Sequence, residues 1–467
     1  MTTRSCDVAV IGAGTAGLAA ERAARHAGAS TLLIDPDFAG TTCATVGCMP
    51  SKLLIAAAHA NHGIARAGEF GIEASGRVDG PAVMTRLRKW RDTFAQGVRD
   101  NIARLPEGVC ITGRARFAGP SVLELEDGTR IEAGAVVVAT GSAAAIPGPF
   151  KALEDLVLTN RSVFELEDLP ESVGVIGAGP VGVELAQALA RLGVRVSLYD
   201  SGDSIAKLPE ETTEALKPLL EQDFPVHLGT TPEPSREGDM VVLSHDGTSE
   251  RFDRVLLAAG RPPSLEGLDL AATGLELDDH GMPEVNAETL QCGDLPIFMA
   301  GDANAIAPLL HEASDEGAAA GRNAAAHPDL KARETQVPLA ITFTDPSAAT
   351  IGTIPDPEDQ SLVTGRADYA DQGRAKVEAR AGGLVRIHAK ASDGTLMGAD
   401  LCLPEGEHLA HLLAWTIASG KTASEVLDLP FYHPTLEEGL QAALREICRK
   451  TAAPRPWSRD EGPTPGF

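Results

Sequence analysis

The chain contains the same pattern of strand, glycine-rich loop, helix and strand twice, and this repeat restricts the fold more than any other feature. In the first copy the apolar run from Val8 to Ile11 leads into the glycine loop from Gly12 to Gly17. In the second copy the run from Val173 to Ile176 leads into the loop from Gly177 to Gly182. One such loop is a weak signal, but two in register predict two doubly wound α/β units that each bind a dinucleotide.

Each loop has the residue types that a dinucleotide pyrophosphate requires. Glycines allow a tight turn and let the phosphates approach backbone N–H groups at a helix N-terminus, where the helix dipole favours anions. The glycines concerned are Gly12, Gly14 and Gly17 in the first copy, and Gly177, Gly179 and Gly182 in the second. The strand after each helix ends in an acid, Asp35 or Asp200, which is expected to accept from a ribose hydroxyl. Asp200 would repel a 2′-phosphate, so the second nucleotide is predicted to be NAD(H), not NADP(H).

A pair of cysteines follows the first fingerprint in the segment Cys43-Ala-Thr-Val-Gly-Cys48. An ideal helix would hold these Cα atoms roughly 8 to 9 Å apart, whereas a disulfide requires about 4.4 to 6.8 Å. The segment is therefore predicted to be bent, with Gly47 as the residue best able to bend it. The spacing does not fit a zinc motif, so thiol redox chemistry is favoured and no metal site is expected.

Composition excludes several classes of function. The 467 residues can fill two or three cores, since 43% are hydrophobic, and a net charge of −26 repels nucleic acid and anionic lipid surfaces. Seven scattered cysteines do not form a secreted disulfide framework. The sequence has no signal-peptide pattern at its start and no uninterrupted apolar stretch of membrane-spanning length. The protein is expected to be soluble and cytoplasmic, with neither nucleic-acid nor membrane partners.

Further strands extend both units and then give way to a different pattern. Buried strands are predicted at Ala135 to Ala139, Arg254 to Ala259 and Ile297 to Ala300, each ending in a loop that faces the sheet edge. From about Val337 alternating strands precede two helices, from Glu407 to Ser419 and from Leu436 to Lys450, which predicts a separate α+β domain.

Taken together, the two fingerprints, the cysteine pair with Met49-Pro-Ser-Lys52, and His433-Pro-Thr-Leu-Glu-Glu438 resemble the FAD-dependent pyridine-nucleotide disulfide oxidoreductases. The resemblance covers almost the whole chain in order. Within that family, Ile341-Thr-Phe-Thr-Asp-Pro and Gly373-Arg-Ala are most similar to the dihydrolipoamide dehydrogenases.

The resemblance implies an NAD domain inserted in an FAD domain, followed by an α+β dimerisation domain. The implied limits are 1–147 and 266–335 for the FAD domain, 148–265 for the NAD domain and 336–451 for the dimerisation domain. Residues 452–467, which carry several prolines without periodicity, are predicted to form a flexible tail.

The resemblance also assigns residues to the two cofactors, FAD and NAD. For FAD they are Gly12, Gly14, Gly17, Asp35, Thr42, Lys52, Ala115, Thr140, Gly141, Asp302 and Leu310. For NAD they are Gly177, Gly179, Gly182, Asp200 and Gly260. Lys52 and Glu184 correspond to an ion pair beside the flavin.

The resemblance implies that Cys43 is the thiol that meets substrate and that Cys48 lies against the flavin. His433 is the implied acid/base, held by Glu438 and supplied by the opposite subunit of a homodimer. Thiol chemistry needs such a base because the thiolate is the nucleophile. Glu437 is an adjacent alternative to Glu438.

The expected reaction is that of a dihydrolipoyl dehydrogenase, with a lipoyl-bearing carrier protein as partner. Departures from the family pattern at Thr41, Ala44, Thr45 and Phe431 surround the disulfide and bear on the substrate. One rival is an NAD(P)H-dependent reductase of a small disulfide such as glutathione disulfide. A rival of another class is a catalytically silent flavoprotein assembly subunit, which would have no need of both cysteines and the His433 to Glu438 pair.

Overall fold

The computed structural model describes residues 2–356 and 358–451. The predicted tail at 452–467 lies outside these residues. The α-helices of the described chain are α1 Thr15–His26, α2 Thr42–Thr45, α3 Cys48–Arg66, α4 Gly80–Ile102, α5 Pro180–Arg191, α6 Glu210–Leu220, α7 Leu310–Ala326, α8 Gly373–Val377, α9 Gly406–Ala418, α10 Ala423–Leu427 and α11 Leu440–Thr451. Short 3-10 helices cover Ala67–Phe70, Gly148–Leu156, Val163–Glu165, Leu270–Thr273, Gly301–Asn304 and Glu437–Gly439.

The strands of the described chain form four sheets. In chain order they are β1 Thr3–Ile11, β2 Thr31–Asp35, β3 Cys110–Thr112, β4 Ala115–Gly119, β5 Val122–Leu125, β6 Arg130–Val138, β7 Val157–Leu158, β8 Ser172–Ile176, β9 Arg195–Tyr199, β10 Val226–His227, β11 Glu233–Glu237, β12 Met240–His245, β13 Thr248–Phe252, β14 Arg254–Leu257, β15 Ile297–Met299, β16 Leu339–Thr342, β17 Ser347–Gly352, β18 Leu362–Asp368, β19 Leu384–Lys390 and β20 Leu396–Leu403.

The first sheet has the order β3-β2-β1-β6-β5-β4, with β15 paired to β6. The strands β3, β2, β1, β6 and β15 are parallel. β5 continues the sheet antiparallel to β6, and β4 pairs antiparallel with β5. The strand β15 returns to this sheet after the whole second unit, as the inserted architecture requires. The domain limits themselves stay a prediction.

The second sheet is parallel throughout, in the order β10-β9-β8-β14-β7. A three-stranded antiparallel sheet, β11-β12-β13, lies beside it and was not predicted. The two sheets share a core in which Tyr199, Leu243 and Phe252 are fully buried.

The third unit is an antiparallel sheet in the order β16-β17-β20-β19-β18, packed against α9 and α11. The predicted α/β and α+β classes are both confirmed.

Two details differ from the expectation for the C-terminal unit. The last helix begins at Leu440, not at Leu436, because residues Glu437–Gly439 form a 3-10 turn in which the Glu438 side chain turns back toward Thr435. The strands β17 and β18 have no strong alternation and were missed. Burial on the sheet, not the local pattern, fixes them as strands.

The helical run Thr42–Phe70 is long and apolar enough, by length and composition alone, to cross a membrane, with a mean hydropathy of 1.2. Within it, Leu54, Ile55 and Ala58 are buried in a core shared with the second sheet. This packing accounts for its apolar character within the fold. The cytoplasmic location stays a prediction.

Candidate active site

The first glycine loop is too tight for side chains at two of its three glycines. Gly12 has a φ of 101°, and a Cβ there would lie 2.4 Å from the Ala139 carbonyl oxygen. A Cβ at Gly17 would lie 1.8 Å from the Gly12 carbonyl oxygen. Both distances are far shorter than a van der Waals contact. Only glycine at these two positions therefore allows the backbone of the loop to pack directly against the neighbouring backbone.

The second loop repeats this geometry. Gly177 has a φ of 111°, and its Cβ would lie 2.4 Å from the Ala258 carbonyl oxygen. A Cβ at Gly182 would lie 1.9 Å from the Gly177 carbonyl oxygen. The two predicted loops therefore adopt the same close-packed turn.

The middle glycines behave differently. Gly14 and Gly179 are the residues that precede α1 and α5, and a Cβ at either would have no atom within 4 Å. The space in front of each helix N-terminus is thus open at the position where a pyrophosphate would approach the backbone N–H groups. Both loops fit the group that the sequence predicted for them.

The acid at the end of each second strand holds its loop. Asp35 Oδ2 accepts from the Ala13 backbone N–H at 2.8 Å, and Asp200 Oδ2 accepts from the Ala178 N–H at 2.5 Å. A carboxylate has about four lone-pair positions, so these contacts leave room for a ribose hydroxyl. The role of each acid toward a ribose stays a prediction.

Several side chains meet near the carboxyl end of β6. The Thr140 hydroxyl oxygen is buried and has no hydrogen-bond partner among the described residues. Ser142 Oγ donates to Asp302 Oδ2 at 2.6 Å, and Arg261 Nη2 lies 3.4 Å from the same oxygen. A buried hydroxyl without a partner is unfavourable unless a ligand supplies one, so Thr140 marks a position that a cofactor would complete.

The remaining predicted cofactor positions lie on several different elements of the fold. Gly141 and Gly260 have positive φ values of 71° and 112°, with no atom near a Cβ. Ala115 is buried at the start of β4, whereas Leu310, the first residue of α7, is exposed. Thr42 is the first residue of α2 and is exposed.

The cysteine segment is bent, as predicted. It consists of the short helix α2, a break at Val46 and Gly47, and the helix α3 beginning at Cys48. A Cβ on Gly47 would lie 2.9 Å from the Thr42 carbonyl oxygen, so this position favours glycine. The break is held from another element, because Asn160 Nδ2 donates to the Val46 carbonyl at 3.0 Å.

The two thiols are reduced in this structure and contact each other. A hydrogen bond from Cys43, assisted by the positive charge of Lys52, lowers the pKa of Cys48 to about 6, although partial burial opposes the change. The same contact, together with burial, raises the pKa of Cys43 well above its usual value. In the dithiol state these contacts favour the thiolate on Cys48 and the thiol on Cys43.

An ion pair between a half-buried lysine and a buried glutamate lies one helical turn after Cys48. Lys52 Nζ lies 2.6 Å from Glu184 Oε2, and Glu184 Oε1 accepts from the Phe343 backbone N–H at 2.9 Å. The Lys52 ammonium also lies 4.2 Å from the centre of the Phe343 ring. Phe343 belongs to the motif from Ile341 to Pro346, but its contacts with Lys52 and Glu184 were not predicted, because it comes from the third unit of the fold.

The helix α5 joins the three units behind the thiols. Its second turn presents Glu184 to Lys52, and about one turn later Gln187 exchanges hydrogen bonds with the backbone of Asp345. Arg191 Nη1 then lies 2.8 Å from Asp345 Oδ2. Burial opposes the ionisation of Asp345, but the ion pairs with Arg191 and Arg380 outweigh it and hold its pKa at about 2.

His433 and Glu438 form the predicted pair. His433 Nδ1 lies 3.0 Å from Glu438 Oε2, and the Thr435 backbone N–H donates to the same oxygen at 3.1 Å. Glu438 is buried whereas the His433 ring is exposed. The carboxylate thus fixes the orientation of the ring and leaves Nε2 facing outward for proton transfer.

Comparisons with known proteins agree with this geometry. Residues 6–317 match the family described as Pyridine nucleotide-disulphide oxidoreductase, and residues 338–444 match its dimerisation domain. The chain belongs to this family. It is a flavoprotein disulfide oxidoreductase, and the match to the dimerisation domain supports a homodimer.

Relatives with different activities match the chain along its whole length. It is 33% identical over 463 residues to the dihydrolipoyl dehydrogenase of Haloferax volcanii, with 94% of this chain and 95% of that protein covered. It is 30% identical over 471 residues to a mercuric reductase of Streptomyces lividans, with 96% and 97% covered. Among solved structures, LpdA from Mycobacterium tuberculosis has a TM-score of 0.81 at 23% identity, covering 96% of this chain and 100% of that one, which shows the shared fold.

Proposed function

We propose that this pyridine-nucleotide disulfide oxidoreductase is a dihydrolipoyl dehydrogenase, which oxidises a dihydrolipoyl dithiol through a Cys43–Cys48 disulfide and transfers the electrons to NAD+. The observation that carries the proposal is the bent segment that brings Cys43 and Cys48 into contact, with the Lys52–Glu184 ion pair one helical turn after Cys48. Similarity to dihydrolipoyl dehydrogenases along the whole chain supports the choice of substrate.

The low pKa of Cys48 makes it the better leaving group. In the first step a substrate thiolate attacks Cys43 Sγ, a bond forms between these sulfurs, and the Cys43–Cys48 bond breaks. Cys48 leaves as the thiolate and needs no proton. Lys52, one turn away, stabilises that charge.

In the second step the other substrate thiol attacks the substrate sulfur of the mixed disulfide and releases Cys43. The cyclic disulfide leaves, and two electrons remain on the cysteine pair. His433 takes the proton of the attacking thiol and returns a proton to Cys43, whose raised pKa favours the thiol. A dithiol completes both steps within one encounter, which gives the second attack a high effective concentration.

Bound FAD would supply the two-electron redox chemistry that connects the cysteine pair to NAD+. The residues that would hold FAD are those of the first loop, with Asp35, Thr140 and Asp302. The second loop and Asp200 would hold NAD+. The acid at Asp200 favours NAD(H) because a 2′-phosphate would meet its negative charge.

The partner subunit would complete each site in a homodimer, with His433 acting on the thiols of the other chain. The C-terminal unit exposes the large apolar side chains of Trp415 and Tyr432, which supports an interface on that unit.

A lipoyl substrate is favoured over mercuric ion and glutathione disulfide. Mercuric reductases have a vicinal pair of cysteines near the C-terminus. In this chain the last cysteine, Cys448, has no cysteine next to it in the sequence and is buried in the core of the C-terminal unit. Glutathione disulfide carries carboxylates, which an acidic chain with a net charge of −26 does not favour.

Steady-state turnover tests the proposal. A lipoylated carrier domain, free dihydrolipoamide, glutathione disulfide and Hg2+ are compared, each with NAD(H) and NADP(H). We expect the highest kcat/KM with the lipoyl substrate and NAD(H). A higher kcat/KM with glutathione disulfide or Hg2+ would refute the lipoyl assignment. A preference for NADPH would refute the role of Asp200. No turnover with any of these substrates would favour a silent assembly subunit.

A further inference from the structure

Three side chains in the second unit come together outside the thiol site and the glycine loops. One ligand atom each from His227, His245 and Glu250 lies within 4.8 Å of the others. These residues come from three different strands. No role in the disulfide chemistry accounts for them.

The fold builds this cluster from a hairpin and a neighbouring parallel strand. In the β12–β13 hairpin His245 pairs with Thr248 and Leu243 pairs with Glu250, so the side chains of His245 and Glu250 share one face at the turn end. His227 belongs to β10 and pairs with Tyr199 of β9. The antiparallel sheet thus places two ligand types against a histidine of the parallel sheet.

Both histidines have a buried nitrogen that the protein does not satisfy. His227 Nε2 and His245 Nδ1 are buried without a hydrogen-bond partner among the described residues. The nearest carboxylates are beyond hydrogen-bond distance, at 3.9 Å from His227 Nε2 to Glu250 Oε1 and 3.6 Å from His245 Nδ1 to Asp246 Oδ2. Two neighbouring rings, with centres 4.9 Å apart, that each carry an unsatisfied buried nitrogen are unusual in a folded protein and point to a missing ligand.

Glu250 is held in the orientation that a ligand to this cluster would need. Tyr199 Oη donates to Oε1 at 2.6 Å, and Ser197 Oγ donates to Oε2 at 2.9 Å. Each oxygen keeps a further lone pair. The Tyr199 ring also stacks on His227, with ring centres 4.8 Å apart. The nearest cation, Arg195, has Nη1 3.9 Å from Glu250 Oε2 and is largely exposed.

We propose that His227, His245 and Glu250 bind a divalent transition-metal ion, and that Zn2+ fits this donor set best. Two imidazoles and one carboxylate are a common protein ligand set for zinc with one open position, which water completes. Zinc bonds of about 2.0 to 2.2 Å hold ligand atoms roughly 3.3 Å apart. The ligand atoms of the cluster, all within 4.8 Å of one another, would move closer by about 1.5 Å at most to reach that spacing.

The surroundings of the cluster prepare its side chains to bind a metal. Hydrogen bonds to a ligating carboxylate orient it, and Tyr199 and Ser197 supply such bonds to Glu250.

Zinc titration of the tag-free, oxidised holoenzyme tests the proposal. In the oxidised state the Cys43–Cys48 disulfide removes the competing dithiol of the active site, and a chromophoric chelator reports free Zn2+. We expect one Zn2+ per chain. His245→Gln and Glu250→Gln are each expected to weaken binding on the order of 100-fold or more, since losing an outer-shell partner alone costs about 10- to 100-fold.

Two further variants distinguish binding at this cluster from binding elsewhere on the chain. Tyr199→Phe keeps the ring and removes the hydroxyl, so it is expected to weaken binding about 10- to 100-fold. His408→Gln is the matched control, because His408 lies in the exposed group with Glu405 and Glu407, and it is expected to leave binding unchanged.

Three results would overturn the proposal: no Zn2+ bound by the holoenzyme, equal binding by Glu250→Gln, or loss of binding in His408→Gln. If His245→Gln does not fold, as judged by its FAD content and circular dichroism, Glu250→Gln and Tyr199→Phe decide the outcome. Binding of no metal would mean that the three side chains form only a stacked polar cluster.

Discussion

The charge balance beside Cys48 gives a prediction with opposite signs for two neighbouring residues. Lys52 lowers the pKa of the Cys48 thiol, and Glu184 raises it. We therefore expect Lys52→Met to raise this pKa from about 6, and Glu184→Gln to lower it. Both variants break the same ion pair, in which Lys52 Nζ lies 2.6 Å from Glu184 Oε2. A purely structural effect of breaking it would shift the pKa of Cys48 in the same direction in both variants, whereas the electrostatic effect shifts it in opposite directions.

The magnitude follows from the position of Lys52 on α3. Residues one helical turn apart lie about 5 to 6 Å from each other. At that distance a unit charge interacts by about 1 kcal/mol in a water-like medium and about 3 kcal/mol near a protein surface. Lys52 is about one-third exposed and is paired with Glu184, so the lower figure applies. With about 1.36 kcal/mol per pKa unit, Lys52→Met is expected to raise the pKa by about one unit.

Alkylation measures this change directly. The reduced chain without added cofactor is treated briefly with iodoacetamide between about pH 4 and pH 9, and modification of Cys48 is quantified by mass spectrometry. With a pKa of about 6, about 90% of Cys48 is thiolate at pH 7, against about 1% at the usual value of 9.0. A midpoint that does not rise in Lys52→Met, or that rises in Glu184→Gln, would refute the electrostatic account.

Three further predictions concern other parts of the molecule. His433→Ala is expected to reduce kcat at least about 100-fold with FAD still bound, and Glu438→Ala less, because only the ring transfers protons; wild-type kcat in His433→Ala would exclude this role. Gly17→Ala is expected to prevent FAD loading, since its Cβ would lie 1.8 Å from a backbone oxygen, whereas Gly14→Ala is expected to fold and bind FAD weakly; normal FAD content in Gly17→Ala would contradict the loop geometry. The ionised Asp345 carboxylate stabilises the folded state above about pH 4, because its pKa falls from its usual value of 3.8 to about 2 on folding. This difference corresponds to about 2 kcal/mol of folding free energy, which is lost as the pH falls through about 2. Urea unfolding of Asp345→Asn is therefore expected to show lower stability at about pH 5 and a smaller loss toward about pH 2, and an acid loss equal to wild type would contradict this.

The two glycine loops and the bend at Gly47 could be predicted from the sequence, because each depends on the backbone conformation of neighbouring residues. The glycines at 12, 17, 177 and 182 are needed wherever a strand turns tightly into a helix, and the structure has the same close contacts in both loops. The bend at Gly47 followed from the spacing of two cysteines. The resemblance to the family supplied the pairing of Lys52 with Glu184 and of His433 with Glu438, and both contacts occur.

Other features had no local signal and were decided by tertiary structure. Phe343 contacts Lys52 and Glu184 only because β16 of the third unit ends beside α5, across a sequence separation of 159 residues from Glu184. The sequence predicts no metal site, because the spacing of Cys43 and Cys48 does not fit a zinc motif. His227 is separated in the sequence from the hairpin that carries His245 and Glu250, and it meets them only through the packing of two sheets. A backbone preference acts on neighbours in the chain and is therefore visible in the sequence, but a contact between distant segments depends on how whole sheets pack, and only the folded structure determines it.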